Sequence, residues 1–370
     1  MIPASGARDT AMADASHASG SRTLSAPIAL GELRTLFADF GNRTHVILAV
    51  SGGADSTALM LLAARWREQD PQTRLTVASI DHALRPESAG ECHIVATKAA
   101  ELGLPCIVRR WEGSKPAARL QEAARNARYA LLSETAAEIG ADAIATAHTL
   151  DDQAETVLMR LMHGSAVDGL AAMRPVVPLA GLSLIRPLLG TTRARLVATL
   201  QAAGMAWLED PSNRNARFER VRLRALLAQL APFGLDPERL GLLARRAARS
   251  GDALEAIAAE RFEVLVHREQ DCLRLDGHGL AACPADIRLR ILERAVLDMR
   301  DKSRGSAYGL RLERLEALAA ALDQALDARE GQGGPWQRSL GGTLLRLDKS
   351  GNLQVTREPE RRRGITKTKM

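Results

Sequence analysis

The chain has 370 residues, 46% hydrophobic and 25% charged, with a net charge of +6 and a pI near 9.5. Its length exceeds what one core usually supports, so two or three domains are expected, and no apolar run approaches the roughly 20 residues that cross a bilayer. Cys92, Cys106, Cys272 and Cys283 lack CxxC spacing and give neither a disulfide framework nor a metal site, aromatics at 3% leave little for base-stacking platforms, and the basic excess permits a polyanionic partner without requiring one.

Residues 1–27 have no apolar stretch of the secretory kind, so a disordered leader on a cytoplasmic protein is expected. Apolar residues in 29–41 recur at helical spacing. The run 46–50 (VILAV) has the character of a buried strand, SGGADS at 51–56 breaks it, and a helix over about 55–68 follows. A strand at 74–80 ends at Asp81-His82 and completes a βαβ unit. A helix over 87–102 stops at Gly103 and Pro105, a strand spans 106–111, a long helix covers 117–139, and a strand at 143–147 runs into His148. This alternation predicts an α/β fold, a doubly wound parallel sheet covered on both faces. Ligands in such sheets bind beyond the carboxyl ends of the strands, where Ser51, Asp81, His82, Trp111 and His148 all fall.

After Asp151 come a helix to about 162, a glycine-spaced loop at 163–173, a proline-marked run to 189, a helix at 193–203 and a polar turn cluster at 207–213. From 218 to about 326 Ala, Leu and Arg recur at helical spacing, interrupted by a hairpin-like pair, FEVLVHRE and CLRLDG. GQGGP at 331–335 reads as a hinge, and 342–358 as a hairpin turning at 349–352 before a basic tail. The expected layout is a leader over 1–27, a catalytic domain over 28–225, a mainly helical domain over 226–330, and a C-terminal hairpin and tail over 331–370.

Two adjacent glycines let the backbone turn sharply and aim successive N–H groups at one spot, and the helix opening near Asp55 adds its positive end. Ser51, Gly52, Gly53, Ala54, Asp55 and Ser56 therefore form a phosphate cradle, although neither GxxxxGK[ST] nor GxGxxG is present. Asp55 is either the protein ligand of a Mg²⁺ ion or a first-turn acid favoured by the helix dipole. Asp151, Asp152 and Glu155 open the helix after the fourth strand and suit a cationic substrate; ordinary acidic capping is the alternative. His148 reads as a general base, a nucleotide contact or a hydrogen-bonded structural residue. Arg125 and Arg128 share a helix face and either reach an anion or stay solvated. The group Arg174, Arg186, Arg193, Arg195 and the cluster Arg214, Arg217, Arg220, Arg222, Arg224 carry charge that suits a nucleic-acid backbone or a solvated helix.

SGGADS resembles the pyrophosphate-binding loop of the ATP pyrophosphatase superfamily, whose members cleave ATP between its α- and β-phosphates and adenylate a substrate oxygen. DHALRPES (81–88) with Glu91, EAARNARY (122–129), TAHTLDDQAET (146–156), HGSAVDGLAAM (163–173), IRPLL (185–189) and LEDPSNRNARFERVRLR (208–224) narrow this. Over about residues 45–225 the chain resembles the tRNA(Ile)-lysidine synthetase family. The resemblance implies an adenine nucleotide α-hydrolase-like domain, ATP and Mg²⁺ as cofactors, and free lysine and the CAU-anticodon isoleucine tRNA as partners. It implies ligation of lysine to C2 of the wobble cytidine through an adenylated cytidine, with AMP and pyrophosphate released. Asp152 and Glu155 would hold the lysine and help deprotonate its ε-amine, Arg125 or Arg128 would reach phosphate or the substrate carboxylate, and Asp81 and His82 would lie by adenine and ribose. Arg174, Arg193, Arg195, Arg217, Arg220 and Arg224 would face the tRNA, and the mainly helical domain over 226–330 would bind it.

Thr149, His163, Ala166 and Val221 depart from the family's usual residues, and Ala166 puts a close backbone contact at that loop in doubt. The rival readings are a tRNA thiolase, an amide ligase of the NAD or GMP synthetase type, and a non-catalytic RNA-binding module. No membrane association is expected, and a homodimer is compatible with the chain's size.

Overall fold

The computed structural model describes residues 26–116, 118–209, 219–300, 310–329 and 336–359. Residues 1–25 of the expected leader, the turn from Asp210 to Asn213 with Arg214 and Arg217, the hinge at 331–335 and the tail from 360 lie outside the described residues. The chain divides into two units, Met1–Ala247 and Ala248–Met370.

In the first unit, short helical turns including α1 (Leu33–Leu36) precede β1 (His45–Ala49), α2 (Ala54–Gln69), β2 (Arg74–Asp81), α3 (Ser88–Glu101), β3 (Cys106–Arg110), α4 (Leu120–Ile139) and β4 (Ala143–Ala145). Then follow α5 (Leu150–Met162), α6 (Val167–Leu170), β5 (Val176–Leu179), β6 (Leu182–Ile185), α7 (Arg193–Ala202) and α8 (Glu219–Leu230). The strands form a six-stranded sheet in the order β3-β2-β1-β4-β6-β5. All neighbours are parallel except the edge pair β5–β6.

Side chains alternate along β1, and that alternation builds two cores. Val46 and Leu48 join Leu59, Leu62, Trp66 and Leu200 on one face, while Ile47 joins Leu132, Ala136, Ile144 and Leu184 on the other. Each such side chain contributes about 1.5–3 kcal/mol on burial, so both faces hold the sheet between helices. Phe37, Phe40 and Trp66 pack with ring centroids 4.9–5.8 Å apart, which commits those aromatics to the core. The chain winds outward from β1 to β3 and then crosses back to β4 on the opposite side of β1. That reversal opens a crevice at the carboxyl ends of β1 and β4, the switch point where such sheets take ligands.

The sheet is not purely parallel, and the proline-marked run explains why. Ala180 (φ 49°) and Gly181 (φ 83°) make a two-residue hairpin turn whose twist suits its strands, and Pro178 is tolerated because β5 is an edge. Three prolines made this stretch look strandless in sequence.

Helix α9 (Pro237–Leu265) carries the chain from one unit to the other. The second unit contains β7 (Val266–Arg268), β8 (Cys272–Asp276), α10 (Gly277–Ala281), α11 (Ala285–Met299), α12 (Leu312–Arg329), β9 (Trp336–Leu340), β10 (Thr343–Leu347) and β11 (Asn352–Arg357). β11 pairs with β8 as well as β10, so the terminal hairpin belongs to one five-stranded sheet, β7-β8-β11-β10-β9, over a core shared with α11 and α12. The hairpin turn is fixed by Asp348, whose Oδ1 accepts the N–H groups of Ser350 and Asn352 at 2.9 Å each, and by Gly351 at φ 80°. The pair expected from FEVLVHRE shrinks to Val266–Arg268, since its first half continues α9.

Candidate active site

The loop after β1 has the conformation its glycines permit. Gly52 sits at φ 86°, and a Cβ there would meet Leu208 Cδ1 at 2.6 Å, so a side chain is excluded on two counts. Leu208 N–H donates to the Gly52 carbonyl at 2.9 Å and Thr57 Oγ1 donates to it at 3.0 Å. Ser56 is buried and its hydroxyl both accepts from Ser51 N–H (3.2 Å) and donates to the Gly53 carbonyl (3.1 Å), stitching the loop to the first turn of α2. Ser51 is exposed, with its hydroxyl 3.3 Å from that of Ser56. A Cβ on Gly53 would meet nothing within 4 Å, and no side chain caps α2. This is an anion cradle of strand, nest and helix N-terminus. Ala54 is 3% exposed and anchors it to the core.

Three acids face the cradle's edge. Asp55 pairs with Arg193 Nη1 through Oδ2 at 3.4 Å, while its Oδ1 is buried without a hydrogen bond. Burial pushes its carboxyl up to about 6 against the pull of Arg193, with Asp152 and Asp151 adding repulsion. Thr149 caps α5: its Oγ1 accepts Asp152 N–H, and Asp152 Oδ2 accepts the Thr149 N–H and hydroxyl at 2.9 Å each. The departure at Thr149 thus builds a reciprocal cap that fixes Asp152. Glu155 is 1% exposed; its Oε1 accepts from Arg224 Nε at 2.7 Å, and its Oε2 is buried without a hydrogen bond. Burial raises Glu155 and Arg224 opposes it. Arg220 Nη1 lies 3.8 Å from Asp152 Oδ1 and 3.9 Å from Glu155 Oε2. Asp151 Oδ2 accepts Arg193 N–H at 2.8 Å, tying the start of α5 to that of α7.

A carboxyl raised above its unfolded value binds a proton over pH 4–6 that the unfolded chain has released, so stability falls as pH rises through that window. Asp55→Asn is therefore expected to stabilise the fold by about 1–3 kcal/mol at pH 8 while reducing activity. Thermal melts at pH 8 and pH 4 check this: the gain disappears at the lower pH.

His148 follows β4, its Nδ1 2.9 Å from Thr146 Oγ1. Burial pushes it down to about 3 against the pull of Asp152, with Arg186, Arg128 and Arg125 adding to the depression. A ring depressed by burial is a weaker proton acceptor and is a neutral hydrogen-bonding group at neutral pH. Arg125 and Arg128 flank Tyr129, their guanidinium carbons 5.1 and 5.3 Å from its ring centre, and Arg128 Nε is buried without a partner. Arg186, 8% exposed, donates to the Arg174 carbonyl at 2.6 Å and keeps a buried, unpartnered Nε. Together these arginines make an electropositive wall beside His148 and His82. His82 stacks edge-on to Trp111 at 6.2 Å, and burial lowers it.

Asp81 is turned inward. Burial alone would raise it, but the Ser88 hydroxyl (2.5 Å), the Ala83 N–H (2.7 Å) and Arg110 hold it below the usual carboxylate value. Its side chain fixes the loop after β2. Arg195 pairs with Glu32 at 2.7 Å and donates to the Ala26 carbonyl at 3.2 Å. Arg193, Arg220 and Arg224 face Asp55, Asp152 and Glu155. Ala166 has φ −72°, so no positive φ is demanded at that loop. What sequence reading missed is the arginine–carboxylate pairing: Glu155 and Arg224 stand 69 positions apart, and no local signal links them.

Two of the four free cysteines lie in this unit at positions unsuited to sulfur transfer: burial raises Cys92, and it pushes Cys106 up to about 11. Among the described residues no helix is long and apolar enough to cross a membrane.

Residues 27–231 match the PP-loop domain family. The fold is similar to that of the U34-tRNA thiolase NcsA from Methanococcus maripaludis, with a TM-score of 0.51 over 60% of this chain and 76% of that one at 16% identity, which speaks to fold alone. Over 91% of its length the chain is 46% identical to the tRNA(Ile)-lysidine synthase of a Bradyrhizobium species, covering 97% of that protein. It is 48% identical to the synthase of Methylobacterium nodulans over 86% of this chain and 92% of that one. With a PP-loop cradle at the switch point and similarity running nearly end to end, this chain belongs to the tRNA(Ile)-lysidine synthase family.

Proposed function

We propose that the protein ligates lysine to C2 of the wobble cytidine in the CAU-anticodon isoleucine tRNA, consuming ATP and releasing AMP and pyrophosphate. The observation that carries this reading is the juxtaposition of an open anion cradle at Gly53 with the carboxylate pair Asp152–Glu155, whose facing oxygens suit an ammonium group. The cytidine O2 attacks the α-phosphorus, the bond to the β-phosphate breaks, and pyrophosphate leaves into the Gly52–Gly53 nest. The ε-amine of lysine then attacks C2, and AMP departs with the former O2. The amine must first lose a proton, and Glu155, raised by burial, is the better acceptor than His148. Arg125, Arg128 and Arg186 face the ATP phosphates or the lysine carboxylate, while His82 and the backbone after Asp81 border the nucleoside.

Asp55 fits a Mg²⁺ ion: its unpartnered Oδ1 is a hard oxygen in a raised-pKa carboxyl, and Mg²⁺ needs only one or two protein carboxylates beside substrate phosphates. Such an ion would neutralise charge on the phosphate oxygens. Arg174, and Arg217 outside the described residues, remain the proposed tRNA backbone contacts. The protein is proposed to work in the cytoplasm, where ATP, lysine and tRNA meet.

Purified protein with ATP, Mg²⁺, labelled lysine and an unmodified CAU isoleucine tRNA is expected to incorporate lysine into RNA. A transcript with the wobble cytidine changed to uridine is expected to incorporate none. Incorporation into both, or into neither, contradicts the reading.

A further inference from the structure

Helix α8 packs on α5 through Leu223 and Leu227, against Ala154, Val157 and Leu158. Arg220 and Arg224 are four apart and present their guanidinium groups to the same two acids. They do so differently. Arg224 Nε is hydrogen-bonded to Glu155 Oε1 at 2.7 Å, whereas Arg220 Nη1 stands 3.8 Å from Asp152 Oδ1 and 3.9 Å from Glu155 Oε2, beyond a hydrogen bond to either. Asp152 Oδ2 is already used by Thr149. The remaining oxygens, Asp152 Oδ1 and the buried Glu155 Oε2 that lacks a hydrogen bond, thus stand at 3.8 and 3.9 Å from the one Arg220 nitrogen that lies by both, and neither is bonded to it.

A buried carboxylate oxygen left without a donor is costly, so this point suits a cation that comes closer than Arg220 does. A compact ammonium, with three rotatable donors, meets two such oxygens at once. Arg220 is 45% exposed on its side chain and carried on a flexible stem, so it can leave toward solvent; Arg224 is held by its short bond to Glu155.

We infer that Arg220 is an internal stand-in for the ammonium of the incoming amino acid, neutralising Asp152 and Glu155 until lysine displaces it, while Arg224 stays as the fixed counter-ion of Glu155. The inference rests on the reading of Asp152 and Glu155 as the lysine pair. An intramolecular competitor lowers apparent affinity by the fraction of time it covers the site, so Arg220 sets how much free lysine the enzyme needs. It acts through the two acids and is a positioning residue.

The test is the KM for lysine at saturating ATP and tRNA in the wild type, in the charge-free variants Arg220→Gln and Arg220→Met, and in Arg220→Lys. Both charge-free variants are expected to lower the lysine KM by about two- to fivefold, the range open to a partly exposed ion pair, with the KM of Arg220→Lys at or above that of wild type because its ammonium competes at least as well. A KM that is unchanged or raised in both charge-free variants overturns the inference. So does loss of folding in both, which would make Arg220 a structural ion pair. A wild type that incorporates no lysine at all overturns both the inference and the functional reading beneath it.

Discussion

Glu155→Gln is expected to reduce kcat/KM for lysine by about 100-fold or more while leaving ATP binding in place. The substitution keeps the side chain's shape but removes the charge that faces both the substrate amine and Arg224. Truncating one partner of a buried, hydrogen-bonded charge pair costs about 2–5 kcal/mol, and every 1.4 kcal/mol is tenfold. Glu155 is 1% exposed, so solvent does little to screen the loss. Arg224 is 43% exposed and rehydrates in part, so the fold survives better than the activity. Lysine saturation curves beside ATP titrations check this: a variant with lysine kinetics like the wild type removes Glu155 from the substrate site.

Gly52→Ala strikes the other half of the site. At φ 86° an alanine is strained by about 1–2 kcal/mol, and its Cβ would press Leu208 Cδ1 at 2.6 Å and Val95 Cγ2 at 3.2 Å. Leu208 also donates its N–H to the Gly52 carbonyl, so relief of the clash pulls on the loop itself. The melting temperature is expected to fall by about 2–8 °C. Misaligning the N–H groups that meet the leaving pyrophosphate is expected to lower turnover about 100-fold, the scale of losing one preorganised donor. Pyrophosphate release measured alongside the thermal melt separates the two effects.

How much of this was legible in sequence depended on how local each feature is. SGGADS is a single strand-loop-helix joint, so the apolar run, the glycines and the first helical acid lay within one reading frame, and the strand, turn and helix formed where expected. Thr149 looked like a departure, yet a hydroxyl residue three positions before Asp152 is a capping signal that could have been read. The β5–β6 hairpin was hidden because Pro175, Pro178 and Pro187 suggest breaks, and only the position of β5 at the sheet edge makes Pro178 acceptable. The ion pairs of Arg193, Arg220 and Arg224 were illegible for a different reason: their carboxylate partners come from helices brought together by packing, and basic clusters look alike whether they meet phosphate or protein. His148 fell between these cases: its place after β4 was legible, while the depression of its ring comes from burial and from arginines on other elements that no local pattern shows.

The central claim is that the loop from Ser51 to Ser56 holds the departing pyrophosphate while the base oxygen itself receives AMP. It is tested most directly with a CAU isoleucine tRNA carrying ¹⁸O at O2 of the wobble cytidine, incubated with the protein, ATP and lysine. Mass spectrometry of the nucleotide released is expected to find AMP bearing one ¹⁸O for each lysine incorporated, since O2 leaves on the phosphorus. Unlabelled AMP formed in step with lysine incorporation, or ADP and orthophosphate in its place, would contradict it.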